Sequence, residues 1–351
     1  MSNFTKDHKW LLVSCLQKAI RKGFSDLAEE YAGYLYNIDK NYLFYRLSII
    51  AIEDIGLGNI DLIHDFMDTQ IKRVNIEGRG GKSYILKVVK GFADSVKDRS
   101  ACDLCSLAFM DEFEFKSQEE NEKLFLNENA PVVSRLVAGW EVLGSKKLKN
   151  PLITNKEDNL EKFMAINEVL IKNEKVLSVM KNGYLIHREP HFIAIGLLAS
   201  LLEKEKIQKV GNFMTGDFVE KNYNKSMVNG TWLLDGADWH TKEGKSAIYN
   251  FCKQQNETND WFNKHNIHHD VRPNIVGMLL FRAIGHQVNK RMVYPTAIVV
   301  MKLVQKMEFE KLTSNAMDYN ETLKVFEKSL PSLNVLLKQN LTTPDPKYFP
   351  F

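Results

Sequence analysis

Apolar residues recur every three or four positions along nearly the whole chain, and strict apolar/polar alternation is almost absent. A helix presents one face every 3.6 residues and a strand every two, so this spacing calls for helices and leaves little material for a sheet. Only nine prolines interrupt the 351 residues. The expected fold is all-α, a multi-helix bundle.

The first helix runs through Trp10, Leu11, Cys15, Leu16 and Ile20, with Lys18, Arg21 and Lys22 at its end and Gly23 as its stop. Basic side chains suit a helix C-terminus, where they meet the negative end of the dipole. Further helices are expected around Leu27 to Leu35, Asn41 to Gly56, Asn59 to Ile71 and Tyr84 to Phe92, and another opens at Pro131. Later ones fall at about 160–171, 191–202, 245–254, 273–290 and 295–307. The segment Gly144 to Asp158, rich in Lys, Asn and Pro, reads as a linker. It divides the chain into an expected helical domain at 1–145 and a second at 155–340.

Composition narrows the class. Apolar residues make up 44% and charged residues 26%, the balance of a chain that buries a core and not of a disordered one. The net charge of +3, from 47 basic and 44 acidic side chains, gives no field that would by itself draw in nucleic acid. Its uneven runs, the acidic Asp111 to Glu122 and the basic Lys146, Lys147 and Lys149, read as solvated loops. Four scattered cysteines make no disulfide framework, and the pair Cys102 and Cys105 has no second pair to complete a zinc site. They read as packed thiols in a reducing compartment. No apolar run approaches the ~20 residues of a membrane span, and the first residues lack the apolar stretch of a secretory signal. The expectation is a soluble, cytoplasmic protein without membrane contact.

The run from Arg46 through Leu47, the apolar Ile49 to Ile52, then Glu53, Asp54, Ile55 and Gly56, followed by Leu57 to Asp61, carries a family resemblance. It resembles the helical collar domain of the replication-associated recombination protein A (MgsA) family, relatives of the Werner-helicase-interacting ATPase. Arg46, Glu53, Asp54 and Gly56 match the family pattern, and Ile52 replaces its small polar residue. Upstream, Leu16 to Ala28 is similar to the family's basic, glycine-ended helix. Downstream, Glu77-Gly-Arg and Ser95-Val-Lys-Asp-Arg-Ser are loosely similar. The likeness covers about residues 8–110. It implies a clamp-loader-collar-like N-terminal part that mediates oligomerisation near replication-fork proteins, with Arg46, Glu53, Asp54 and Gly56 as the partner-facing motif. The same residues also have a purely structural use: Glu53 and Asp54 neutralising Arg46, with Gly56 closing the helix.

The ATPase module of that family is missing. A phosphate loop needs Gly-x-x-x-x-Gly-Lys-(Ser/Thr) after a buried strand. In Ile76-Glu-Gly-Arg-Gly-Gly-Lys-Ser, Gly81, Lys82 and Ser83 fit, but Ile76 holds the first glycine's place and the preceding residues have helical spacing. This reads as an interhelical turn, and no cofactor is expected.

The densest polar chemistry lies between Asp235 and Asp270, which holds four of the nine histidines. Asp238 and His240 flank Trp239, and a carboxylate beside an imidazole can orient the ring and raise its basicity. Arg282 and His286 lie one turn apart on an otherwise apolar segment. If the four converge, they make a polar catalytic or binding pocket lined by Trp232, Trp239 and Phe281; the alternative is a buried network holding helices in register. His265, His268, His269 and Asp270 offer divalent-metal donors at helical spacing, although in no established zinc pattern.

Three functions follow as expectations. The leading one is a non-catalytic DNA replication or recombination accessory protein that self-associates, or binds a replication or recombination protein and possibly DNA. The second is an enzyme acting on nucleic acid or nucleotides through the Asp/His/Arg cluster. The third, suggested by the abundance of Lys, Asn and Ile, is a viral or mobile-element protein that binds a host protein.

Overall fold

The computed structural model describes residues 6–71, 81–110, 116–144, 153–205, 209–213, 227–285 and 287–342. These are predominantly helical, as the spacing requires, and none of their helices is long and apolar enough to cross a membrane. The basic run at Lys146 to Lys149, the start of the acidic run and Ile76 lie outside the described residues.

The chain forms two compact units that are interleaved in sequence. One comprises residues 1–43, 213–289 and 306–351, the other 44–212 and 290–305. This differs from the division expected at 145–155, which falls inside the second unit. Its composition marks a loop, but Asn159 N–H donates across it to Leu143 O at 2.9 Å, while Thr154 and Asn155 bind the Glu141 carboxylate. Long-range pairing, rather than the loop's composition, sets the units.

The first unit contains α1 (Lys9–Lys22) and the start of α2 (Ser25–Ile50). Within α2, Asp39 leaves helical geometry, and its carboxylate accepts the Tyr42 N–H at 3.0 Å, capping the run that follows. Next come the strands β2 (Met227–Val228) and β3 (Trp232–Leu233), paired antiparallel as Met227 with Leu233 and Val228 with Trp232. Asn229 and Gly230 take positive φ in their turn, the backbone twist that suits a tight hairpin. The unit continues with α11 (Lys242–Lys253), capped by Thr241, α12 (Glu257–Lys264), capped by Asn256, and α13 (Arg272–Leu280). The final helix, α15 (Tyr319–Thr342), packs against all three. It buries Thr322, Phe326, Ser329, Leu333, Leu337 and Leu341, one stripe at three- and four-residue spacing.

The second unit takes up the end of α2 and continues through a π-turn (Ala51–Ile55), a 3-10 turn (Gly56–Asn59), α3 (Ile60–Ile71), α4 (Lys82–Asp94) and α5 (Ser100–Met110). Then follow α6 (Gln118–Leu126), α7 (Val132–Leu143), α8 (Leu160–Leu170), α9 (Glu174–His187) and α10 (His191–Leu202). Helix α10 is apolar around its whole circumference from Phe192 to Ala199 and is the buried hub on which α5, α7 and α9 pack. The chain passes between the units within β1 (Lys209–Phe213) and again within β4 (Val288–Val293), and α14 (Pro295–Thr313) begins in the second unit.

The helix expected at 273–290 is shorter than its apolar spacing suggests. It ends at Leu280, a π-turn spans Phe281–Gly285, and the chain then becomes extended. The Lys97 N–H donates to Lys290 O at 3.0 Å and the Met292 N–H to Lys97 O at 2.8 Å. That tertiary pairing overrides the local helical preference.

Candidate functional site

Helix α1 is buried on every face from Leu11 to Lys22, polar residues included, so the cations at its end cannot reach water by facing outward. Lys18 and Lys22, one turn apart, are buried with it. They meet the two aspartates of Asp235-Gly-Ala-Asp238. Lys18 Nζ pairs with Asp238 and, at 2.8 Å, donates to Ser14 Oγ, while Lys22 Nζ pairs with Asp235. Burial alone would raise the Asp238 pKa, but the Lys18 ammonium and the His240 hydrogen bond outweigh it and hold the carboxyl well below the usual carboxylate range. Burial lowers the Lys22 pKa against the opposing pull of Asp235.

Asp238 and His240 come together as the sequence suggests. Asp238 Oδ1 accepts the His240 N–H at 2.9 Å and lies 3.1 Å from the ring Nδ1. The ring itself is 59% exposed, between Trp239 at 5.0 Å and Phe281 at 5.7 Å. Phe281 also carries the Lys18, Arg21 and Arg282 cations within 6.0 Å of its ring centre, the range of cation–π attraction. The expected four-residue convergence is corrected at Arg282, whose guanidinium pairs with Glu308 of α14. His286 lies outside the described residues. Trp232 stacks on His8 at 5.7 Å.

The metal candidates divide. His265 Nδ1 is 2.9 Å from Trp261 O and its ring lies tilted against the Trp261 ring at 4.2 Å, which removes it from the group. His268, His269 and Asp270 remain together in the loop between α12 and α13, all exposed, their donor atoms within 4.8 Å of one another. A turn, with Asn266 at φ 55°, gathers them in place of the expected helical spacing.

In the second unit, the collar-like motif is built into a separate polar network. Arg46 pairs with Glu53 at 3.6 Å, as expected, and Asp54 also pairs with Arg99, both of them fully buried. Gly56 closes the π-turn with φ +49°, and a side chain there would place Cβ 2.5 Å from Asp98 O. The partner segment is Lys97 to Ser100. Lys97 Nζ donates to Ala93 O at 2.8 Å and Ser95 O at 2.5 Å, and burial pushes its pKa down to about 7 against the pull of Asp54. Asp98 accepts the Ser100 N–H at 3.0 Å, and Arg291 pairs with Asp103 at 2.8 Å.

Lys82 begins α4, and the described element before its loop is the helix α3, not a strand. Burial raises the Cys102 pKa to about 12 and lifts Cys105 well above its ordinary value, in keeping with packed thiols. The sequence reading gave Lys18 and Lys22 only as a basic helix end, and Lys97 and Arg99 only as part of the loosely similar Ser95-Val-Lys-Asp-Arg-Ser run. The sequence held no signal of the burial of Lys18 and Lys22, because α1 interleaves cations and apolar residues as an ordinary amphipathic helix does. No protein-family model, curated protein or solved structure matches the chain.

Proposed function

We propose that the chain is a non-catalytic accessory protein of DNA replication or recombination, which acts by binding a partner protein, or a second copy of itself, through its collar-like helical segment. The observation that carries this reading is the pairing of Asp54 with Arg99. Both residues lie within the span that resembles the recombination-ATPase collar. Their buried ion pair gives the Glu-Asp-Ile-Gly run a scaffolding use within that span. The test is capture of purified replication-fork proteins and forked DNA by the immobilised chain, alongside light scattering of the chain alone. Saturable binding or a mass above one chain supports the proposal; the absence of both contradicts it.

A second reading, an enzyme acting on nucleic acid or nucleotides, is favoured by His240. Its Nδ1 faces a buried carboxylate while most of the ring meets solvent, an arrangement suited to a general base. Hydrolysis of nucleotides or of single- and double-stranded DNA, abolished in His240→Ala, would support it.

A further inference from the structure

We propose that His268, His269 and Asp270 form a solvent-facing site for one divalent transition-metal ion of the zinc and nickel class. Each residue offers one donor within 4.8 Å of the other two, so modest rotation of exposed side chains brings them to a shared ion. His268 Nδ1 lies 3.3 Å from one Asp270 oxygen and His269 Nε2 lies 3.1 Å from the other. The carboxylate thus already stands between the two imidazoles. Two imidazoles and a carboxylate make a three-ligand set that leaves further positions to water.

The loop that presents them is held from beneath. Ile267 is buried, its N–H donates to Phe262 O at 2.9 Å, and Arg272 donates to Ile267 O through Nε at 3.0 Å and Nη2 at 2.9 Å. Arg272 Nη2 also reaches Asn263 Oδ1 at 2.7 Å. The guanidinium is therefore spent on the backbone and a neighbouring amide, and the donors stand on a fixed platform, which lowers the ordering cost of binding. Imidazole donors select zinc and nickel over magnesium, which prefers oxygen.

The experiment is isothermal titration of the full, untagged chain with zinc chloride, repeated with nickel and magnesium chlorides. One zinc per chain is expected, nickel should compete, and magnesium should give no heat of binding. His268→Ala, His269→Ala and Asp270→Asn should each weaken zinc binding at least about tenfold, since even second-shell losses cost that much. His265→Ala should leave it unchanged. All three proposed ligands are exposed, so these variants keep the fold, which circular dichroism verifies. Absence of zinc binding overturns the proposal, and so does binding that survives the three ligand variants.

Discussion

Lys18 and Asp238, 220 positions apart in the chain, form a buried ion pair, and one turn further along α1 Lys22 repeats the arrangement with Asp235. The four-residue step between the lysines matches the short turn that separates the aspartates, so two pairs clamp α1 to the Asp235 to Asp238 segment of its own unit.

Removing one partner should therefore be worse than removing both. Asp238→Ala leaves the Lys18 ammonium buried without its carboxylate and should destabilise the protein by about 3–5 kcal/mol, while the double change Lys18→Met with Asp238→Ala should recover much of that loss. Urea denaturation of the two single variants and the double variant provides the check.

The same pair fixes a pH dependence. The folded pKa of Asp238 lies below its unfolded value, so its contribution is complete above the ordinary carboxylate range and is lost as pH falls through that range toward the folded value. The wild type should lose more stability on acidification than the Lys18→Met, Asp238→Ala double variant. Urea midpoints between about pH 6 and 3 measure the difference.

Lys97 acts at the other end of the scale. Burial places its pKa at about 7, whereas an unfolded lysine titrates near about 10.4. Between these values the unfolded chain holds a proton that the fold has released, so this group makes stability rise with pH, and its burden is heaviest below about pH 7. Relative to wild type, Lys97→Met should gain most below pH 7, and the gap should shrink toward pH 10. Paired urea titrations across that range read it as a difference between the two proteins.

Gly56→Ala tests the closure of the collar-like motif. A β-carbon at φ +49° and 2.5 Å from Asp98 O should cost about 1–3 kcal/mol from backbone strain alone, with the oxygen contact adding to it. Thermal unfolding should show a clear fall in midpoint.

The helices near 160–171, 191–202 and 245–254 were legible because their apolar residues match the 3.6-residue period, whereas α15, whose buried stripe keeps the same spacing with Pro331 inside it, is not among the helices expected from the sequence. The short strands were hidden. Val288 to Val293 continues an apolar helical spacing, and pairing with the main chain of Lys97, nearly two hundred residues earlier, helps to hold it extended. In the candidate site, Asp238 with His240 could be read from adjacency, and so could the His268, His269 and Asp270 group. The partners of the aspartates could not, because Lys18 and Lys22 look like an ordinary basic helix end until the burial of every face of α1 is known. Arg282 looked available for the same reason: its acid, Glu308, lies on a different helix.

The central claim, an accessory protein that works by association, is met most directly by sedimentation velocity. The chain should be run alone over a hundredfold range of concentration and then mixed with purified replication-fork proteins. A boundary that moves faster with rising concentration, or in the mixture, is the predicted result. A single-chain boundary that stays unchanged in every run would contradict the account.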